Sequence, residues 1–429
     1  MPSALIVADD LTGSCDTGHS FATRGIPTSV LPTTAGTPED TTVFVVNTDS
    51  RYDREPVATE KVESIIESHS SEIVYKKVDS TLRGNVVVEV DAAIRAVDHL
   101  TDADKPVAAI VAPAAPSVGR TTEEGIHRVD GIPVAETEFG RNSRKGVSES
   151  HLPTLFETSQ NIVDHIDRCT IERGPDAVAS QLDALGERNR IVVCDANTCD
   201  HLNAIAMGAT GAHTNCVFVG SAGLAEHIPV STDSTAVSAS SSVSFETDGG
   251  IFAIVGSTAP QTLAALDSIP DETIIPLDPE TVLDQANQLI YEISDRIVER
   301  LKRGENVVIT AATDKSAVDR AHSVGSKLGL TTRTVEERVS AALASIADVT
   351  TKEHRPSGLI LTGGDTAVAV LEAIEAESIT LTGDEIAAGI PIGKINGGRM
   401  DGVTLITKAG GFGGKETLVD CFDRVSERE

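Results

Sequence analysis

The sequence predicts an α/β protein of two domains, each a mostly parallel sheet flanked by helices, and three observations lead there. Short runs of Val, Ile, Leu and Ala alternate with helical patterns along the chain, as expected of strands buried on both faces and covered by helices. The chain has 429 residues, more than the ~250–300 at which a single hydrophobic core stops growing. The alternation is broken once, by STDSTAVSASSSVSFETDGG, a Ser/Thr-rich stretch without helical periodicity. That stretch reads as a linker. It places an N-terminal domain at 1–229, the linker at 230–248 and a C-terminal domain at 249–429.

In the first domain the apolar runs predict strands at 4–8, 43–46, 73–78, 108–112, 191–193 and 217–219, with helices at 13–24, 57–68 and 85–97. In the second they predict strands at 251–255, 307–309, 359–361 and 403–406, with a helix beginning at Pro260. Aromatic residues make up 3% of the chain and Trp is absent, so both cores must be aliphatic. No short-period repeat marks a solenoid.

Charge narrows the function. The net charge of −30 arises from 65 Asp and Glu against 35 Lys and Arg, spread along the chain. Nucleic-acid binding needs clustered cations and is not expected. A dispersed acidic surface poor in Lys and aromatics fits a protein adapted to high salt, where self-repulsion is screened within ~3 Å at 1 M. The six cysteines form no CxxC pair and no zinc-type spacing with His, so buried free thiols in a reducing compartment are expected. The first residues lack the basic and long apolar regions of a signal peptide, and no apolar run reaches ~18 residues. A cytoplasmic protein without a membrane partner is expected.

Four segments of the first domain carry polar groups at strand ends, where ligands of open α/β sheets bind. Asp9 and Asp10 follow the first strand, with Thr12 and Gly13 behind them. Paired carboxylates can orient a polyol or take a proton from it; equally, Asp10 or Thr12 could cap the following helix. The run KKVDSTLRGN at 76–85 sets Lys76, Lys77, Val78, Asp79, Ser80 and Arg83 where a strand gives way to a helix. Cations and hydroxyls at a helix N-terminus suit an anion, and Arg83 could grip a carboxylate with two parallel hydrogen bonds. Arg51, in NTDSR at 47–51, adds a guanidinium to the same edge. The Pro-bounded loop APAAPSVGRTTEEG at 112–125 reads as a turn of undecided function.

The second domain carries small-residue turns after three strands: Gly256-Ser257-Thr258, then Thr362-Gly363-Gly364-Asp365-Thr366, then Gly410-Gly411 within TKAGGFG at 407–413. Glycine permits close approach of backbone amides to phosphates, so together the three favour a nucleotide site. Gly414-Lys415 is followed by Glu416, so there is no GxxxxGK[ST] loop, and no GxGxxG or HExxH occurs.

These motifs, ADDLTGSCDTG at 8–18, KKVDSTLRGN, APAAPSVGRTTEEG, TGGDTA at 362–367, GIPIG at 389–393 and TKAGGFG, resemble in order and length the four-carbon acid sugar kinases, over nearly the whole chain. Members of that family phosphorylate D-threonate, D-erythronate or 3-oxo-tetronate. Ala115 departs from the resemblance, since relatives often carry a larger apolar residue there. The resemblance implies an N-terminal acid-sugar domain, a C-terminal nucleotide domain and an active site in the cleft between them. It implies ATP and Mg2+ as cofactors, with Asp10, Arg51 and the run Lys76–Asp79 on the sugar acid; Asp9, Ser80 and Arg83 are added to that set from their places at the strand ends. It implies Ser257, the turn Gly363, Gly364, Asp365 and Thr366, and Gly410 on the nucleotide, to which the small-residue turns add Thr362 and Gly411, with Asp365 expected to position the metal or the phosphate turn. Asp10 or Asp79 would be the catalytic base, and the choice stays open. The partner expected is a small-molecule sugar acid, with a homodimer allowed. Two other classes share the α/β pattern: a dinucleotide-dependent oxidoreductase, disfavoured by the missing fingerprint, and a non-catalytic sugar-acid-binding protein.

Overall fold

The computed structural model describes residues 2–34, 41–69, 71–101, 105–141, 145–186, 188–231, 249–278, 282–283 and 286–426. The chain forms two compact units, Met1–Val237 and Ser238–Glu429. Apart from its first two residues, the expected linker at 230–248 lies outside the described residues.

In the first unit the strands are β1 (Ala4–Ala8), β2 (Thr28–Leu31), β3 (Val43–Asn47), β4 (Ile73–Lys77), β5 (Val107–Ala112), β6 (Arg120–Glu123), β7 (Ile126–Val129), β8 (Ile132–Pro133), β9 (Ile162–Ile166), β10 (Arg190–Cys194) and β11 (Asn215–Gly220). The main sheet runs β2-β3-β1-β4-β11-β5-β10-β9, and every pairing recorded among these strands is parallel. Strands β6, β7 and β8 form a small antiparallel sheet of their own. β1 is inaccessible along its whole length because helices cover both faces. Leu5, Val7, Phe44, Val46 and Val74 pack with Val62, Ile66, Val90 and Ile94 in one core cluster; burying each such side chain is worth about 1.5–3 kcal/mol. Those last four residues belong to helices α2 (Glu55–Ser68) and α3 (Val86–Leu100), while α1 (Leu11–Ala22) joins β1 to β2.

The chain leaves β1 toward β2 and β3 on one side, then crosses to β4 on the other. The carboxyl end of β1 is therefore where the strand order reverses, the usual place for a ligand in an open α/β sheet.

The second unit contains β12 (Ile251–Val255), β13 (Ile274–Pro276), β14 (Val307–Thr310), β15 (Gly358–Thr362), β16 (Ser378–Glu385), β17 (Pro391–Asn396) and β18 (Thr404–Lys408), in the order β13-β14-β12-β15-β18-β17-β16. The first five strands of that order pair in parallel and the last two antiparallel. Ile251, Ala253, Val255, Ile360 and Ile406 meet Leu266, Leu418 and Phe422 in its core.

Among the described residues no helix is long and apolar enough to cross a membrane. None of the six cysteines is in a disulfide, but only Cys15, Cys194 and Cys421 are buried; Cys169 and Cys199 are exposed. The expectation of uniformly buried thiols is corrected accordingly, because both exposed cysteines sit in first turns of surface helices, Arg168–Ile171 and Cys199–Gly211.

Candidate functional site

At the carboxyl edge of the first unit, the loops after β3, β1 and β4 lie side by side, since Ala8 pairs with both Asn47 and Lys77. Asp10 is the N-cap of α1, in extended conformation, and its Oδ1 accepts a hydrogen bond from the Gly13 amide at 3.2 Å. The same oxygen accepts from Arg51 Nη2 at 2.6 Å. Asp10 is thus both a cap and a member of a charged cluster. Its Oδ2 has no hydrogen-bond partner among the described residues.

Arg51 is the centre of that cluster. It donates through Nε and Nη2 to Asp9 at 2.7 and 3.0 Å and lies 3.7 Å from Asp79. Close approach here requires glycine at 84, where φ is +97° and a Cβ would lie 2.9 Å from Arg51 Cγ. Arg83 forms its own fork on Asp79, Nε to Oδ2 at 2.7 Å and Nη2 to Oδ1 at 2.9 Å, and its guanidinium carbon lies 5.3 Å from the Phe139 ring centroid. The Thr81 hydroxyl also donates to Asp79. Leu82, at φ +61°, is a non-glycine residue in the left-handed region, a conformation that must be held by its surroundings.

Electrostatics follow this geometry. Burial pushes the Asp9 carboxyl up, but Arg51 foremost, with Lys76 and Lys77, more than offsets it and holds it below the usual range. Burial likewise opposes ionisation of Asp79, and Arg51 and Arg83 overcome it, leaving this group firmly ionised. Burial lowers and the three carboxylates raise Arg51, the carboxylates winning by a wide margin.

The two lysines part company. Adjacent residues of a strand point to opposite faces, and Lys76 points inward: it is 0% exposed and its ammonium meets Glu89 of α3 at 2.8 Å. Glu89 also accepts from Ser50 at 2.6 Å, and burial raises its carboxyl despite Lys76. The expectation that Lys76 lines a binding surface is therefore corrected: it is an internal counter-ion. Lys77 projects under α1, its Nζ donating to the Val78 carbonyl at 2.8 Å. Val78 is buried. The Ser80 carbonyl accepts from His127 Nε2 at 2.9 Å, so the loop at 112–125 leads into a hairpin that braces the run 76–85. Neither His127 nor Glu89 was signalled by the sequence motifs, since each lies outside them.

The most accessible charged side chains of the cluster are Arg83 at 24% and Asp10 at 23%, against 8% for Asp79 and 3% for Asp9. The edge thus offers one free carboxylate oxygen and one half-open guanidinium, a set able to hold a hydroxylated anion.

In the second unit the turns after β12, β15 and β18 adjoin in the same way. The Gly256 amide donates to the Thr362 carbonyl at 3.0 Å, and the Gly363 amide to the Lys408 carbonyl at 3.2 Å. A Cβ on Gly410 would lie 2.3 Å from Ser257 Oγ, and one on Gly363, where φ is +90°, 3.0 Å from the Ser257 amide. These close approaches exclude side chains. Gly364 opens a helix, Gly364–Ala373, that has no side-chain cap, and a helix N-terminus of this kind suits an anion. Thr366 is buried and near Ser340, 3.0 Å away; Gly411 has open space around it. The Thr362 hydroxyl is buried without a partner. Asp365 is exposed in the first turn of that helix. No group of three or more His, Cys, Asp or Glu able to hold a metal occurs among the described residues. One carboxylate is nonetheless enough for Mg2+, which is usually held through one or two carboxylates plus phosphates. Small cradles, an uncapped helix N-terminus and that carboxylate fit a magnesium-bound polyphosphate.

Comparisons with known proteins agree with this division. The profile described as Sugar-binding N-terminal domain matches residues 4–228, and that described as Nucleotide-binding C-terminal domain matches residues 252–418. A D-threonate kinase of Salmonella typhimurium is 30% identical over 99% of this chain and 98% of its own. The chain belongs to the four-carbon acid sugar kinase family. Within that family a 3-oxo-tetronate kinase of Methylobacterium radiotolerans is 29% identical, over 98% of each chain. The fold is shared with a crystal structure of a Salmonella typhimurium protein, with a TM-score of 0.78 at 21% identity, covering 97% of this chain and 98% of that one. The protein is a sugar acid kinase of this family.

Proposed function

We propose that the protein transfers the γ-phosphoryl group of ATP to the terminal, fourth-carbon hydroxyl of a four-carbon sugar acid such as threonate, erythronate or an oxo-tetronate. The observation that carries this reading is the end-to-end relationship to a D-threonate kinase, with polar groups suited to an acid in one unit and to a polyphosphate in the other.

The acid's carboxylate pairs with the outer edge of Arg83, whose Nη1 has no partner among the described residues while Asp79 occupies its inner fork. Arg51 and Lys77 add positive potential behind it. Asp10 is the better base of the two candidates. It offers a free oxygen and is the more exposed, whereas Asp79 has both oxygens bound and is held ionised by two guanidinium groups. Asp79 then acts by positioning Arg83. In the transfer the substrate oxygen bonds to the γ-phosphorus, the bond to the β-phosphate oxygen breaks, ADP leaves and the hydroxyl proton passes to Asp10. Phosphoryl transfer depends on positioning and charge neutralisation more than on covalent help. The Ser257, Gly364, Gly410 and Gly411 amides hold the phosphates. Asp365 would hold Mg2+ beside the phosphates, where the ion would supply charge neutralisation.

An ADP-release assay with threonate, erythronate and the neutral polyol erythritol tests this. Erythritol lacks the carboxylate and should fall short in kcat/KM by more than ~100-fold, about 2.7 kcal/mol. Comparable turnover of erythritol, or no turnover of any four-carbon acid, would overturn it.

A further inference from the structure

Among the described residues three lysines are buried, Lys76 at 0%, Lys408 at 1% and Lys77 at 4%, and the Asp9 carboxylate acts on both Lys76 and Lys77. Lys76 has the Glu89 carboxylate at 2.8 Å. Lys408 has no carboxylate partner among the described residues. Its Nζ donates to the Thr262 hydroxyl at 3.0 Å, the Ala409 carbonyl at 3.2 Å and the Gly410 carbonyl at 3.5 Å. The nearby Cys421 is no substitute, because burial pushes its thiol up to about 12 and keeps it neutral. An ammonium buried without a counter-ion is costly, and such groups persist where something else supplies the opposite charge.

The hydrogen bonds indicate what that is. In a trans peptide the C=O and the following N–H point in opposite directions. Drawing the Ala409 and Gly410 carbonyls inward therefore turns the Gly410 and Gly411 amides outward, and neither amide donates a hydrogen bond among the described residues. Thr262 reinforces the arrangement, its hydroxyl donating to the Gly410 carbonyl at 3.1 Å. Gly410 itself is held against Ser257, in the turn that with 363–366 forms the nucleotide cradle.

We propose that Lys408 is the positioning residue of this cradle. Its ammonium pins the two carbonyls so that the Gly410 and Gly411 amides face a bound polyphosphate, and that polyphosphate is the counter-charge the buried lysine lacks. The proposal deepens the nucleotide reading above and rests on it. It explains why an apolar strand ends in a buried lysine. Burial lowers this lysine to about 8, as expected of an ammonium awaiting an anion.

The test is calorimetric titration of a non-hydrolysable ATP analogue, with Mg2+, into wild type, Lys408→Met and Lys408→Arg, with urea unfolding of each. Met keeps the stem and removes the charge. It should weaken the analogue by about 30-fold or more, the range of a lost interaction with a charged group, without lowering the urea midpoint, because an uncompensated buried charge has gone. Arg should restore part of the affinity. A folded Met variant that binds the analogue within threefold of wild type would overturn the proposal. So would a Met variant whose urea midpoint collapses while Lys408→Arg, folded, binds as weakly as an unrelated core mutant. Failure of the wild type itself to bind the analogue would instead overturn the nucleotide reading, and this proposal with it.

Discussion

Replacing Lys76 with Met separates two roles that a basic residue beside a binding site could have. In the structure its ammonium is sealed beneath the sheet edge, 2.8 Å from Glu89 and 3.3 Å from the Val7 carbonyl. Removing it leaves Glu89, itself inaccessible, as a buried carboxylate without its partner. Breaking a buried pair in this way costs about 3–5 kcal/mol. The loss should depend on pH. Burial already raises Glu89, and without Lys76 it rises further, so protonation relieves the penalty. A group whose folded pKa lies above its unfolded value contributes stability below the unfolded value and loses it as pH rises. The variant's deficit relative to wild type should therefore be largest near pH 8 and shrink toward pH 5. Adding Glu89→Gln should recover much of it by removing the stranded charge. Urea midpoints of wild type, Lys76→Met and the double variant across that range provide the assay, with acid KM measured beside them. A Lys76→Met protein with an unchanged midpoint but a raised acid KM would refute the reasoning and put Lys76 back on the binding surface.

Three further expectations follow from other parts of the molecule. Gly410→Val would drive a side chain into Ser257 Oγ, 2.3 Å from an ideal Cβ; nucleotide affinity should fall by roughly 100-fold while sugar-acid binding persists, and retained nucleotide affinity would make the turn merely structural. His127, pushed down to about 4 by burial from 6.5, donates to Ser80 and accepts from Thr122 at 3.0 Å. The unfolded chain binds that proton first as pH falls, so stability is full above about 6.5 and drops toward 4 by up to about 3 kcal/mol; a urea-midpoint profile unchanged by His127→Gln would contradict this. The dispersed charge of −30 should make melting temperature climb from about 0.1 to about 2 M KCl, and a flat profile would show the acidity to be incidental.

Much of the architecture is legible because buried parallel strands write themselves as uninterrupted apolar runs. ALIVA at Ala4–Ala8 and IFAIV at Ile251–Val255 are examples with the expected bounds. The strands that escape are polar or short. IVDHI at β9 carries Asp164 and His165 at the edge of the sheet, and RTTE at β6 belongs to the hairpin hidden in a loop of undecided function. In the site, strand-end acids and cations were visible, but their pairing was not. Three cations within eight positions at 76–83 look like an anion trap, yet each has an internal partner: Glu89 of α3 for Lys76, and, within the run itself, the Val78 carbonyl for Lys77 and Asp79 for Arg83. The alternation of side chains along β4 could have separated Lys76 from Lys77. Lys408, last residue of an apolar strand before a glycine pair, carried a similar signal that the motif concealed.

The central claim is phosphoryl transfer to the terminal hydroxyl of a four-carbon acid, and proton-coupled phosphorus NMR of the product tests it most directly. Protein, MgATP and D-threonate or D-erythronate should yield a new phosphomonoester whose signal is split into a triplet by the two protons of the terminal carbon. Asp10→Asn should abolish it while leaving the protein folded. A doublet would place the phosphate on an inner carbon, and inorganic phosphate alone, with no ester on any four-carbon acid, would contradict the account.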